Sequence, residues 1–143
     1  MENKSFLRGM ATVNFWADDV CTARDWYAKL FGLSAYFQSP NAEQPAYVEF
    51  RIGDYQAEFG IVDRKYAPQG IQAGPGGVTL YWHVNDIESA FETLKSMSAQ
   101  VHEPITRRGN FGFITASVID PFGNILGIMQ NPHYVEILHS HTK

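Results

Sequence analysis

The sequence is poor in cysteine and has no excess of basic residues, and both shortages narrow the classes of protein that it fits. Cys21 is the single cysteine, which excludes an internal disulfide and a cysteine-rich metal cluster. Its place in a helical pattern favours a packed thiol over a nucleophile. The formal net charge of -4 gives no electrostatic reason to expect a nucleic acid or an anionic membrane, because both attract clustered lysine and arginine. We therefore expect neither as a partner.

The sequence also has no long apolar run. The first residues, Met1 to Ser5, do not lead into one, so neither a signal peptide nor a membrane-spanning helix is indicated. We therefore expect a cytoplasmic protein. The 143 residues are 45% hydrophobic and 18% charged, which is enough apolar surface for one domain with a substantial core.

The chain contains the same order of elements twice. Apolar residues at three- and four-residue spacing predict helices, and alternating or β-rich runs predict strands. The first copy predicts one strand, a helix and three strands, at residues 10–17, 20–31, 34–38, 46–52 and 55–62. The second copy repeats this order, at residues 78–84, 87–97, 101–105, 111–119 and 125–130. An offset of 67 residues aligns residues 13–20 with residues 80–87 without a gap.

Such a repeat indicates that each unit buries its hydrophobic face against its twin. We predict an α+β fold in which two βαβββ modules in tandem form a curved, partly closed eight-stranded mixed sheet with helices outside. Residues 1–143 then form a single domain, with module one at about 8–62, a linker rich in glycine and proline at 63–77, module two at 78–131 and a tail at 132–143. We expect the tail to be solvated and residues 106–110 to form a polar loop.

Three local motifs accompany the repeat. Asp19 and Asp86 each stand where a predicted strand leads into a helix, and the first helix ends in Trp26-Tyr27-x-x-Leu30-Phe31-Gly32-Leu33. The last hairpin turns at Asp120-Pro121-Phe122-Gly123-Asn124. Together, and in this order, these features resemble the glyoxalase/bleomycin resistance/extradiol dioxygenase superfamily, also called the vicinal oxygen chelate superfamily. The resemblance covers about residues 10–130 and implies the same fold.

The resemblance also implies where a metal would be bound. Enzymes of this superfamily hold a divalent ion with up to four His, Glu or Gln ligands, from the first and last strand of each module. The corresponding positions here are Thr12, Glu58, Thr79 and Gly127. Only Glu58 is a plausible ligand, and one carboxylate does not hold such an ion at useful affinity. We therefore predict no metal and no other cofactor.

Strand alternation predicts the side chains that line the concave face of the sheet instead. They are aromatic or neutral-polar apart from a single acid, which is the composition of a small-molecule site. The predicted pocket residues are Thr12, Asn14, Trp16, Gln56, Glu58, Thr79, Tyr81, His83, Gly127 and Met129. Purely structural roles are also open: Trp16 and Tyr81 as packing residues, His83 as a hydrogen-bonded histidine, and Glu58 as a paired structural acid. No catalytic residue is assigned.

We predict a metal-free protein that binds a small molecule in this cavity, as the resistance proteins that it resembles do. Glu58 would orient a cationic or hydrogen-bond-donating group, and Trp16 and Tyr81 would stack on a planar one. The alternative is a metal-dependent glyoxalase-like lyase, isomerase or dioxygenase with relocated ligands, for which Glu58 and His83 are candidates. A third hypothesis is a sensor or partner-binding module. By analogy with the superfamily we expect a homodimer.

Overall fold

A computed structural model describes residues 5–71 and 74–141; the predicted linker and tail each include residues outside these ranges. The first module contains β1 (Thr12–Ala17), α1 (Val20–Phe31), β2 (Phe37–Ser39), β3 (Tyr47–Ile52) and β4 (Ala57–Asp63), followed by a 3₁₀ turn (Arg64–Tyr66). The second module contains β5 (Leu80–His83), α2 (Ile87–Ser96), β6 (Gln100–Arg108), β7 (Phe113–Ile119) and β8 (Ile125–Gln130), followed by α3 (Pro132–His141).

The two long helices begin at equivalent aspartates. The carboxylate of Asp19 accepts a hydrogen bond from the Thr22 amide at 3.1 Å, and that of Asp86 accepts one from the Ser89 amide at 3.1 Å. Each bond satisfies a backbone donor that the first helical turn leaves free. From the sequence alone, the spacing of Asn85 and Glu88 is that of a capping box and predicts Asn85 as the second cap, but the structure has the cap one residue later. Gly32 ends α1 with a φ of 72°, the left-handed conformation that glycine adopts most readily.

The strands form two mixed sheets, with the orders β1-β4-β3-β2 and β5-β8-β7-β6. In each sheet the first and last strands of the module pair in parallel, and the other pairs are antiparallel. This confirms the predicted α+β fold of tandem βαβββ modules. No strand pairing joins the two sheets within residues 5–71 and 74–141, so β1 and β5 are both edge strands.

One hydrophobic core serves both modules. Tyr27, Phe50 and Phe59 are almost fully buried in module one, and Val118 and Leu126 are almost fully buried in module two. Trp82 of β5 joins the two sets, because its ring lies 5.5 Å from that of Phe31 and 5.8 Å from that of Phe59. The alternation expected for β1 is present, since Phe15 is buried in the core while Thr12 and Asn14 are exposed.

The last hairpin turn also binds module one. Asp120 is 3% exposed, and its carboxylate accepts bonds from the amides of Phe122 (2.9 Å) and Asn124 (2.8 Å) and from the hydroxyl of Tyr27 on α1. Burial raises the pKa of Asp120, although these bonds oppose the rise. The Asn124 side chain accepts a bond from the Trp16 amide and donates one to the Trp16 carbonyl. The turn therefore fixes the position of one module against the other.

Two local predictions differ from the structure. β2 covers 37–39 instead of 34–38, and β6 continues through Arg108 because it remains paired with β7, so most of the expected polar loop at 106–110 is strand. The described part of the tail, which we expected to be solvated, forms the helix α3, and no residue of α3 is buried. Asn131 caps α3 by accepting from the amides of His133 and Tyr134 at 2.9 and 3.2 Å.

Candidate functional site

The register of the parallel strand pairs identifies equivalent positions in the two modules. Asn14 of β1 lies beside Gly60 of β4. Tyr81, the counterpart of Asn14 at the 67-residue offset, lies beside Gly127 of β8. Gly127 is therefore equivalent to Gly60, and the counterpart of Glu58 is Ile125.

The sequence-based pairing of Glu58 with Gly127 is therefore wrong. The closing strand pairs of the hairpins are Ile52 with Ala57 in module one and Ile119 with Ile125 in module two. The second turn is thus one residue longer than the first, so counting from the turns does not give equivalent residues. Neither Gly127 nor Ile125 offers a metal ligand in module two.

Both equivalent glycines are buried because a neighbouring side chain covers the strand there. A Cβ at Gly127 would lie 2.7 Å from the Leu80 carbonyl oxygen and 2.7 Å from Cδ1 of Tyr81. A Cβ at Gly60 would lie 2.6 Å from the Tyr47 ring. A carboxylate side chain therefore fits neither position unless these neighbours move.

The side chains present do not fit the divalent metal of the superfamily. The Thr12 hydroxyl donates a hydrogen bond of 2.7 Å to Glu58, so these two groups are already partners. Within residues 5–71 and 74–141, no group of three or more His, Cys, Asp or Glu side chains is arranged to hold a metal ion. A stable site for zinc or a similar ion needs at least three such ligands.

A groove of about 370 Å³ lies between the modules, bounded by β1, β4, β5, the β3–β4 turn and α3. Four of the predicted pocket residues line it, and they come from both modules. They are Glu58, Tyr81, His83 and Met129. Thr12 contacts the groove residue Glu58 through its hydroxyl. The groove is therefore the place where the largest part of the predicted pocket comes together.

The groove is acidic and aromatic. Among the described residues that line it, the charged ones are Asp54 and Glu58, and none is a lysine or arginine. Tyr55, Tyr81 and Tyr134 line the same groove, Tyr134 donates a hydrogen bond to Asp54, and Tyr81 is 36% exposed. Carboxylates and aromatic faces both attract cations. The groove therefore has the chemistry of a cation-binding site.

The acidic character continues across the first sheet. Glu49 accepts a hydrogen bond from the Tyr47 hydroxyl, and both side chains are half-buried. Burial raises the pKa of Glu49, the negative charge of Glu58 adds to the rise, and Arg51 opposes it. Burial and the charge of Glu58 also raise the pKa of Tyr47. The open face of the first sheet therefore carries Glu49 and Glu58 beside the groove, with Arg51 opposite Glu58 in the strand register.

His83 has hydrogen-bonding and stacking partners. Its Nδ1 accepts a bond from the Asn131 amide at 3.1 Å, and its ring stacks on Tyr134 with the centroids 4.7 Å apart. Tyr134 in turn donates a bond of 2.7 Å to Asp54. Desolvation, followed by this bond to Asp54, raises the pKa of Tyr134 to about 12. His83 therefore holds the N-terminal start of α3 against the groove.

The other predicted pocket residues lie elsewhere. Asn14 and Trp16 line a second cavity, of about 410 Å³, beside Arg64 and the glycine-rich linker, so Trp16 and Tyr81 do not face one pocket. Gln56 is exposed in the β3–β4 turn with a φ of 55°. Thr79 lines neither cavity, and Gly127 is covered by Tyr81.

Sequence reasoning missed Asp54, Tyr55 and Tyr134 as groove residues. For Tyr134 a signal was available: Asn131-Pro132 is a typical helix start, with a cap followed by proline at the first helical position. For Asp54 and Tyr55 no local pattern separates a groove residue from an ordinary turn residue.

The fold and the sequence profile agree on the class of protein. The profile of the Glyoxalase/Bleomycin resistance protein/Dioxygenase superfamily matches residues 9–128, and the chain belongs to that superfamily. A search of curated proteins finds no match. No helix among the described residues is long and apolar enough to cross a membrane.

Solved structures show the same fold at low sequence identity. A glyoxalase-related enzyme from Fulvimarina pelagi is 20% identical, with a TM-score of 0.65 over 88% of this chain and 90% of that one. A lactoylglutathione lyase from Agrobacterium tumefaciens is 19% identical, with a TM-score of 0.64 over 87% and 94%. A bleomycin resistance determinant encoded on the transposon Tn5 is 17% identical, with a TM-score of 0.60 over 87% and 98%.

Proposed function

We propose that this protein binds a small organic cation in the groove between its modules and does so without a metal ion. The observation that carries the proposal is the lining of the groove, in which Asp54 and Glu58 are the charged groups and Tyr55 and Tyr81 are exposed aromatic residues. A cation would contact the carboxylates at one side and ring faces at the other. Such ring contacts contribute about 0.5–1 kcal/mol each at exposed sites.

Similarity to a bleomycin resistance determinant supports a binding role. Similarity to a lactoylglutathione lyase would support the alternative, a metal-dependent enzyme. Glu58 and His83 do line the same groove, but Nδ1 of His83 is already bonded and no third ligand is arranged with them among the described residues. No specific contact therefore favours the enzyme.

The proposal is tested by titration calorimetry with tetramethylammonium and with tert-butanol, an uncharged tetrahedral molecule that also has five heavy atoms. We expect the cation to bind and the alcohol to bind at least tenfold more weakly. Glu58→Gln should weaken cation binding about fivefold, as expected for the loss of ~1 kcal/mol from a partly exposed charge pair. The matched control is Glu103→Gln, an exposed acid of β6 outside the groove. Equal affinity of wild type and Glu58→Gln would contradict the proposal.

A homodimer and a cytoplasmic location remain part of the proposal. The face of the first sheet that carries Thr12, Asn14 and Arg51 is open to solvent in one chain, and a second copy would cover it. Light scattering at micromolar concentration should give twice the chain mass of 16.1 kDa. A mass of one chain over the whole accessible concentration range would contradict the dimer and leave cation binding to be judged by its own titration.

A further inference from the structure

Another cavity, different from the one beside Trp16, adjoins the groove at β5. This helix-side cavity also measures about 370 Å³ and lies between the end of α1, one face of α2 and the core side of β8. Its walls include Leu30, Phe31, Ala90 and Leu94, and the other side chains around it are mostly apolar. No charged side chain lines it among the described residues. Burial of an apolar group there would be favourable.

The groove and the helix-side cavity share part of their walls. Ile52, Gly53, Trp82 and His83 line both of them. β5 is an edge strand, and a Cβ at Gly53 would meet no atom within 4 Å, so the shared wall leaves room there. A chain of methylene groups that leaves the groove at this edge would therefore enter the helix-side cavity directly.

Trp82 forms the boundary between the two spaces. Its Nε1 is buried and has no hydrogen-bond partner among the described residues. A buried donor without an acceptor is uncommon in folded proteins, and a methylene chain that passes Trp82 would leave this N–H unpaired because it offers no acceptor. The shared walls and the contrasting linings of the two spaces, and not this N–H, are what favour an occupant that spans them.

We infer that the ligand is an amphipathic cation whose charged group lies in the groove near Glu58 and whose apolar chain extends past Trp82 into the helix-side cavity. This inference rests on the proposed function, since the groove must bind the charged group. The acidic lining of one space and the uncharged lining of the other match the two ends of such a molecule. A hydrophilic cation would leave the helix-side cavity unused.

The test is a chain-length series of alkyltrimethylammonium ions with methyl, butyl, hexyl and octyl chains, measured by titration calorimetry on the whole chain. We expect the affinity to rise by up to about fourfold for each added methylene that is buried, the fold-change that ~0.8 kcal/mol gives. Ala90→Phe should fill the helix-side cavity and remove the gain with chain length, while the affinity for tetramethylammonium stays unchanged. Ser89→Phe, on the exposed neighbouring position of α2, is the matched control and should behave as wild type.

Thr93→Phe provides a second filling variant from the exposed side of the same cavity, for use where Ala90→Phe does not fold. An affinity of wild type that is independent of chain length, with tetramethylammonium still bound, would overturn this inference and leave the proposed function intact. A gain with chain length that survives in the filled variants would also overturn it. Absence of binding by every cation, tetramethylammonium included, would instead overturn the proposed function.

Discussion

The buried glycine at position 127 offers a sharp test of how the second sheet is packed. Replacing Gly127 with alanine adds one methyl group, and its carbon would lie 2.7 Å from the carbonyl oxygen of Leu80. Real Cβ atoms essentially never approach another atom so closely. Leu80 belongs to β5 and pairs with β8, so its carbonyl cannot swing away as a side chain could. We therefore expect β5 to be pushed away from β8.

The size of the effect follows from two opposing contributions. Insertion of a methyl group into a well-packed site costs about 1–3 kcal/mol. Alanine is favoured over glycine within a strand by about 0.5–1 kcal/mol, because an alanine residue loses less conformational freedom than a glycine residue when the chain folds. Because the clash is with a backbone atom, the upper half of the first range applies, and Gly127→Ala should lower the free energy of unfolding by about 1–2.5 kcal/mol.

Two matched variants identify the cause. At Gly60 the close atoms belong to side chains, Tyr47 and Asn14, which can move, so Gly60→Ala should cost less than Gly127→Ala. At Gly74 no atom lies within 4 Å, so Gly74→Ala should change the free energy of unfolding by less than about 0.5 kcal/mol. Urea unfolding followed by circular dichroism measures all three. If Gly127→Ala is as stable as Gly74→Ala, the packing described for β5 and β8 is refuted.

The remaining predictions concern pH. The pKa of Tyr134 is about 12 in the folded chain against an ordinary 10.0, so the unfolded chain loses this proton first and stability falls as pH rises from 10 towards 12. In Tyr134→Phe this part of the fall should be absent in urea unfolding at a series of alkaline pH values, and identical slopes would contradict it. Burial raises the pKa of Asp120 above 3.8, so its protonated form contributes stability that is complete below 3.8 and is lost as pH rises through the folded pKa. Asp120→Asn should remove this loss, and an unchanged difference between pH 3.5 and pH 7 would refute it.

The sequence by itself determined the elements, because their signals are local. Apolar spacing marks α1 and α2, Asp19 marks the start of α1, and alternation in β1 separates Phe15 from Asn14 without reference to any distant residue. The turn at residues 120–124 and the absence of ligands at Thr12 and Thr79 can likewise be read from the chain, whereas the fourth position is Ile125 and not Gly127 as the sequence indicated. These features established the fold and argued against the metal chemistry of the superfamily.

Only the tertiary structure decided which residues share a site. The register of β4 and β8 makes Gly127 equivalent to Gly60, and it depends on strand pairing and turn length, which no local pattern encodes. The meeting of Asp54 with Tyr134 joins residues 80 positions apart. Packing of one module on the other creates such contacts. Trp16 and Tyr81 occupy the same face of equivalent strands, but this packing places them in different cavities.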